Sequence, residues 1–139
     1  MPPPRPMKLQ RADHDPDLNL FTRYGADYVV VGQERFHQAL IVGPKLLETG
    51  WTTHNFSTLE AADFIHLAER IRAFGADVAL LGVGATQRFP SPALQTTLLT
   101  QGIPLEIMST PAACRTYNLL AAEGRKALAA LLAPDTAGG

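Results

Sequence analysis

The chain has 139 residues, 46% of them hydrophobic and 18% charged, a composition typical of one soluble globular domain. Its 12 basic and 13 acidic side chains nearly cancel, which argues against a nucleic-acid-binding role because phosphate contacts need an excess of Lys and Arg. No apolar run approaches the roughly 20 residues of a membrane-spanning helix. The single cysteine, Cys114, excludes an internal disulfide and favours a reducing compartment.

The two ends of the chain have the composition of flexible tails. Residues 1–16 begin with a proline-rich segment and lack the apolar core of a secretory signal. Residues 134–139 are small and polar, and they follow the last apolar segment. The sequence therefore predicts a single α/β domain over residues 17–133.

The first half of that domain predicts strands. Residues 19–24, 28–31, 35–42 and 45–52 carry β-branched and apolar residues in short runs separated by turn residues. Gly43-Pro44 breaks the third run. Short runs joined by tight turns are typical of an antiparallel meander of hairpins.

The second half changes to helical spacing. Ser57 and Glu60 have the spacing of a capping box, and apolar residues then recur every three or four positions as far as Gly75. Residues 77–82 form a short apolar run that predicts a buried strand.

A second helix is predicted from Ser91-Pro92 to Gly102, and a strand over residues 105–108. The last helix is predicted from Thr110-Pro111 as far as Leu132, with a weak point at Gly124. The alternation of helix and strand implies parallel strands with right-handed crossovers.

Binding sites in parallel sheets form beyond the carboxyl ends of the strands. Two loops fit that position, one after residue 82 and one before Pro111. Polar side chains on the last helix add to them. The residues predicted to converge there as a ligand- or partner-binding site are Gly82, Gly84, Arg88, Thr110, Arg115 and Asn118.

The glycines and the polar residues of this predicted site, and also Cys114, have a structural interpretation beside the functional one. In the functional interpretation, Gly82 and Gly84 let the backbone approach a ligand and Arg88 pairs with an anion. In the structural interpretation, the glycines form a tight turn that is needed only for packing. Arg115 and Asn118 either meet a partner or tie loop backbone to the helix. Cys114 is an activated thiol near a helix N-terminus or a small buried hydrophobic residue.

Familiar catalytic and cofactor motifs are missing from the sequence. Gln87 stands where a dinucleotide fingerprint has its third glycine, and no Lys-Ser or Lys-Thr pair follows. The four histidines have no metal-ligand spacing, and there is no Gly-x-Ser-x-Gly elbow. We therefore predict no catalytic residues, no cofactor and no metal.

One block carries a specific resemblance. The run from Ala112 to Leu120, with Glu123-Gly124-Arg125, Leu81-Gly82-Val83-Gly84 and Gln87-Arg88-Phe89, resembles the mitochondrial complex I assembly factor 3 family, which includes bacterial single-domain proteins. The resemblance implies a three-layer α/β domain with a mixed central sheet, a β-hairpin layer from the N-terminal half and helices on the other side. Because an Arg-rich, Ser-rich transit peptide is missing, the chain resembles a bacterial, cytoplasmic member.

Two functions are consistent with these observations. The first is a protein-interaction or assembly module with a protein partner, linked by the resemblance to complex I biogenesis. The second is a domain that binds a small molecule or anion, or a small enzyme, using the loop between Gly82 and Arg88. The missing motifs favour the first function.

Overall fold

The computed structural model describes residues 17–103 and 105–134. The predicted tails are residues 1–16 and 134–139. All of their residues except Pro134 lie outside the described residues. The described chain folds into two β-sheets and three α-helices.

The smaller sheet comes from the start of the domain. Strands β1 (Phe21–Tyr24), β2 (Val29–Val31) and β3 (Glu34–Phe36) pair antiparallel in the order of the chain. Gly32 lies in the turn between β2 and β3, with a left-handed φ of 62° that suits a glycine. The hairpin interpretation of this segment is confirmed.

The continuous strand predicted over residues 35–42 is wrong. Its residues are divided between β3 in the small sheet and β4 (Leu40–Gly43), which pairs with β5 (Leu46–Thr49) in a second sheet. Leu40, Ile41 and Val42 are fully buried, so β4 needs a position with cover on both faces. The antiparallel meander of β1 to β3 offers no such position. The chain therefore leaves that sheet after β3, and β4 joins the second, five-stranded sheet at the centre of the molecule.

The predicted first helix is present, but its start is different. Helix α1 (Ala61–Phe74) begins after Glu60, whose amide donates a 2.8 Å hydrogen bond to the Asp63 carboxylate. Ser57 instead lies in a short 3-10 turn, Phe56–Thr58, which Asn55 caps. The predicted Ser57–Glu60 box is therefore wrong, because the nearer Asn55 and Asp63 side chains make the capping bonds.

The next elements follow the predicted alternation. They are β6 (Val78–Gly82), α2 (Pro92–Gln101), β7 (Glu106–Met108) and α3 (Thr110–Ala122). Strands β6 and β7 pair in parallel, which confirms the parallel arrangement inferred from the sequence.

The last helix ends ten residues before the predicted Leu132. Gly124 has a φ of 85° and stops it, and strand β8 (Ala127–Leu131) follows. This alanine-rich strand lies at the centre of the second sheet, whose order is β5-β4-β8-β6-β7. Tertiary pairing on both edges overrides the high helix propensity of alanine, because all five residues of β8 are buried.

The five-stranded sheet separates two parts of the core. Helices α1 and α2 cover one face, where Leu128 and Ala130 of β8 pack with Phe64 and Leu98. The small sheet and α3 cover the other face, where Ala129 and Leu131 pack among the residues of those elements. The predicted three-layer α/β class with a mixed central sheet is confirmed. The helices were predicted on the side opposite the hairpin layer, where α1 and α2 lie, but α3 lies on the side of the small sheet because its apolar residues pack against that sheet.

Candidate functional site

The carboxyl ends of three parallel strands meet at one edge of the central sheet. Gly82 at the end of β6 pairs with Met108 of β7 and with Leu131 of β8. The loop after β6 and the first turn of α3 therefore begin side by side. This is the edge at which the sequence predicted a site.

Gly84 and Thr110 connect those two segments directly. The Gly84 amide donates a 2.9 Å hydrogen bond to the Thr110 hydroxyl, and the Thr110 amide donates a 2.7 Å bond to the Gly84 carbonyl. Ser109 caps α3 by accepting from the Ala112 amide at 3.3 Å. The start of α3 is thus held against the loop by main-chain and hydroxyl groups.

Gly82, at the end of β6, and Gly84, in the loop that follows, both occupy positions that leave little or no room for a side chain. A Cβ added to Gly82 would lie 3.1 Å from the Thr110 Cα and 2.7 Å from a Leu131 methyl carbon. Gly84 has a φ of +113°, which residues with side chains rarely adopt, and an added Cβ would lie 3.0 Å from an Arg88 nitrogen.

Arg88 lies on the same loop and folds back onto its backbone. Its Nε and Nη2 donate to the Val83 carbonyl at 3.1 Å and 2.8 Å. Its guanidinium carbon lies 4.1 Å from the centre of the Phe56 ring, in cation–π geometry. Gly82, Gly84, Arg88 and Thr110 are therefore close together, as the sequence predicted.

Arg115 and Asn118 lie farther along α3 and contact the small sheet. Asn118 accepts a 2.8 Å bond from the Phe21 amide and donates a 2.7 Å bond to the Phe21 carbonyl. Arg115 Nη1 donates to the Tyr24 hydroxyl at 2.9 Å. Their contacts match the structural interpretation offered above, and a role in binding a ligand or partner stays a prediction.

Tyr117 and Cys114 occupy the buried side of α3. The Tyr117 hydroxyl donates a 2.8 Å bond to the Asn19 carbonyl, and its ring meets the Phe21 ring edge-on at 5.4 Å. Cys114 is 1% exposed, and burial raises the pKa of its thiol to about 12. A buried thiol with so high a pKa is a packing residue, not an activated nucleophile.

A cavity of about 580 Å³ opens at this edge, between the small sheet and the start of α3. Gly84, Thr110 and Pro111 line it from one side, and Leu131 and Leu132 from the end of β8. Four residues that the sequence did not single out line it from the small sheet and its connection to β4: Tyr24, Tyr28, Phe36 and Gln38. The spacing of residues in the sequence does not predict that these four line a cavity, because the packing of one sheet on the other brings them here.

The sequence also missed a polar cluster at the start of α1. Asp63 is 9% exposed and accepts a 2.6 Å bond from the Thr52 hydroxyl, and its other oxygen lies 2.7 Å from His54 Nδ1. The bond to Asp63, above all, raises the pKa of His54. Burial opposes ionisation of Asp63, but the bonds from Thr52, the Glu60 amide and His54 outweigh it, so its pKa is lowered.

Within residues 17–103 and 105–134, no group of three or more His, Cys, Asp and Glu side chains is arranged to hold a metal ion. None of the helices in this part of the chain has the length and apolar character needed to span a bilayer.

Comparison with known proteins identifies the family. The sequence profile of a family described as a protein of unknown function, DUF498/DUF598, matches residues 21–132. The chain belongs to the DUF498 family. The match covers the whole of the fold from β1 to the end of β8, including every residue predicted for the site.

Relatives of this DUF498 chain include a named assembly factor. This chain is 33% identical over 104 residues to the NADH dehydrogenase [ubiquinone] 1 alpha subcomplex assembly factor 3 of Danio rerio. The aligned region is 74% of this chain but only 57% of that protein, so the chain spans little more than half of the relative. The predicted relationship to complex I assembly factor 3 is confirmed.

Solved structures of similar chains share the fold. A protein of Bordetella parapertussis is 36% identical, with a TM-score of 0.68 and alignment over 85% of this chain and 97% of that one. A Mth938-like domain from Bordetella pertussis is 29% identical, with a TM-score of 0.71 over 90% and 92% of the two chains. This DUF498 chain therefore has the Mth938-like fold.

Proposed function

We propose that this DUF498 domain is a protein-interaction module that takes part in assembling a multi-subunit complex. The observation that carries the proposal is its 33% identity, over 74% of its length, to a protein named as an assembly factor of NADH dehydrogenase. By that likeness the complex is respiratory complex I, and the chain acts on it from the cytoplasm.

The geometry of the most specific sequence block supports a non-catalytic role. Asn118 bonds to the backbone of Phe21 at the start of β1, Tyr117 bonds to the Asn19 carbonyl just before it, and Cys114 is buried on the same helix. These side chains hold α3 to the small sheet. A rigid scaffold of this kind suits a surface that recognises another protein better than it suits chemistry at the block itself.

We place the partner's contact on the outer face of α3. Arg115 and Leu119 are four residues apart on this helix and therefore lie on the same side of it. Both are exposed, and Leu119 is 61% exposed. Arginine is enriched at protein interfaces, and the buried core of an interface is more apolar than the rest of the protein surface.

Co-purification from the native host tests this function. The chain is tagged, chemically cross-linked in cells and purified, and NADH dehydrogenase subunits are quantified by mass spectrometry. Leu119→Glu puts a charge into the proposed contact, and we expect it to lower the recovery of those subunits about tenfold, because burying an unpaired charge costs more than 1.4 kcal/mol.

Leu99→Glu is the matched control. Leu99 is 78% exposed on α2, which covers the opposite face of the central sheet, so its substitution should leave recovery unchanged. Absence of NADH dehydrogenase subunits from the wild-type sample overturns the assembly role. Equal recovery with Leu119→Glu overturns the placement on α3.

An anion site at the Gly82–Arg88 loop, the second function that the sequence leaves open, has weaker support. Arg88 already donates from Nε and Nη2 to the Val83 carbonyl, in a cation–π contact with Phe56. To bind an anion, Arg88 would have to break its bonds to Val83. The part-buried Val83 carbonyl would then lose its charged donor.

A further inference from the structure

The cavity at the carboxyl edge has the size of a small-molecule site. Its volume of about 580 Å³ lies within the range of roughly 300–1,000 Å³ found for ligand pockets. It lies between two sheets, beside the loop after a parallel strand and the start of a helix. Open α/β sheets bind ligands at this place.

Small residues keep the space open from both sides. Gly25 and Ala26 line the cavity from the small sheet, and Gly84 and Ala85 line it from the loop after β6. A Cβ added to Gly25 would collide with the Tyr28 ring, which is itself a wall of the cavity. Gly84 has the positive φ described above. The walls of the cavity thus depend on residues that have little or no side chain.

The charge of the walls limits what the cavity can hold. Among the described residues that line it there is no Asp, Glu, Lys, Arg or His. Three guanidinium groups contact wall residues without lining the cavity. Arg115 donates to the Tyr24 hydroxyl, and Arg35 lies over the Tyr28 ring. Arg88 lies beside Gly84, and its Nε and Nη2 donate to the Val83 carbonyl. A charged ligand inside the cavity would lose its hydration without gaining an oppositely charged group among the lining residues, which is costly.

The walls also supply aromatic surface. Tyr24, Tyr28 and Phe36 line the side formed by the small sheet, and the Tyr28 ring is fixed by the Arg35 guanidinium, 4.1 Å from its centre. Gln38 adds an amide. Aromatic walls with one or two polar groups are typical of sites that bind flat, mostly apolar molecules.

We propose that this cavity is a binding site for a small, uncharged, mostly apolar molecule with a planar ring system. The proposal does not rest on the assembly role, because the small sheet, the loop after β6 and the first turn of α3 line the cavity, and Leu119 on the outer face of α3 does not. Partner binding and ligand binding can therefore be tested separately.

Two fluorescent probes that differ by one charged group test the proposal. N-phenyl-1-naphthylamine is uncharged, and 8-anilinonaphthalene-1-sulfonate has the same ring system with a sulfonate. We expect the uncharged probe to bind at one saturable site. We expect the sulfonate to bind about tenfold more weakly, a difference of about 1.4 kcal/mol. Equal affinity of the two probes overturns the assignment of an uncharged ligand.

Filling the cavity supplies the second measurement. Ala85→Trp places a large side chain in the cavity, and Ala62→Trp places the same side chain on an exposed position of α1, on the opposite face. Ala85→Trp should abolish saturable binding, and Ala62→Trp should leave it unchanged. Ala26→Trp, at a second exposed wall position, replaces Ala85→Trp if that variant does not fold.

Amide chemical shifts then locate the bound probe in the wild-type chain. The uncharged probe should shift the amide signals of Gly25, Ala26, Gly84 and Ala85 together. Unchanged binding by the cavity-filling variant, or shifts confined to residues outside the cavity walls, overturns the proposal.

Discussion

The Gly84 amide donates to the Thr110 hydroxyl at 2.9 Å, and the Thr110 amide donates to the Gly84 carbonyl at 2.7 Å. This reciprocal pair joins the end of β6 to the start of α3 across 26 residues of sequence. It also forms part of the wall of the cavity, because both residues line it. One main-chain bond and one hydroxyl group therefore hold the two segments together at this edge.

Replacing that hydroxyl by a methyl group should destabilise the fold. Thr110→Val keeps the shape of the side chain but leaves the part-buried Gly84 amide without its acceptor. We expect a loss of about 1–3 kcal/mol in the free energy of unfolding, measured by urea denaturation. Thr110→Ser keeps the acceptor and should lose clearly less. Equal stability of the two variants would show that the bond contributes nothing.

Asn118 acts as a side-chain partner for the first strand. Its amide group bonds to both backbone groups of Phe21, at 2.8 Å and 2.7 Å. Asn118→Leu leaves both groups without that partner, and we expect a loss of about 1–3 kcal/mol in the free energy of unfolding. The Phe21 amide should also exchange with solvent faster.

Asn118→Asp is the informative control for that variant. It keeps an acceptor for the Phe21 amide but cannot donate to the Phe21 carbonyl when it is ionised. Protection of the Phe21 amide should therefore survive in Asn118→Asp and fall in Asn118→Leu. Equal loss of protection in both variants would contradict the assignment of the bonds.

The His54–Asp63 contact should make stability depend on pH. The bond to Asp63 raises the pKa of His54 above its ordinary 6.5, so its stabilisation is present below that pH and is lost as pH rises through the raised value. The pKa of Asp63 is lowered from 3.8, so its stabilisation is present above 3.8 and is lost as pH falls through the lowered value. The contact should stabilise most between the two ordinary values.

His54→Gln tests this dependence. The difference in unfolding free energy between wild type and His54→Gln should be larger at about pH 5.5 than at about pH 9, because only protonated His54 makes the charged contact. Thr53→Gln changes an exposed neighbour that does not titrate, and it should leave the pH dependence as in wild type. A pH-independent difference for His54→Gln would rule out the charged contact.

The central position of β8 predicts the effect of truncation. A chain that ends at Gly124 lacks β8, so β4 and β6 each lose one of their two partner strands and the five-stranded sheet is divided into two pairs. We expect that chain to be unfolded by circular dichroism and by amide exchange, whereas a chain that ends at Pro134 should fold. Cooperative unfolding of the shorter chain would contradict the topology.

The position of part of the carboxyl edge could be predicted from local sequence order. Gly82, Gly84 and Thr110 follow or precede apolar runs that form parallel strands, so their meeting at one edge follows from topology alone. Tyr24, Tyr28 and Phe36 could not be predicted as cavity walls, because nothing in the sequence states how the small sheet packs on the central one. The same holds for Asp63 and His54, which meet through a turn that the sequence assigned differently.

The sequence by itself determined the order of most elements, the parallel pairing of β6 with β7 and the glycines that its turns need. These follow from apolar periodicity and from the backbone freedom of glycine. Only the tertiary structure decided that residues 35–42 divide between two sheets and that Ala127–Leu131 is a strand. Both segments have local preferences that suit more than one structure, and burial between two layers of core selects the strand that pairs on both edges.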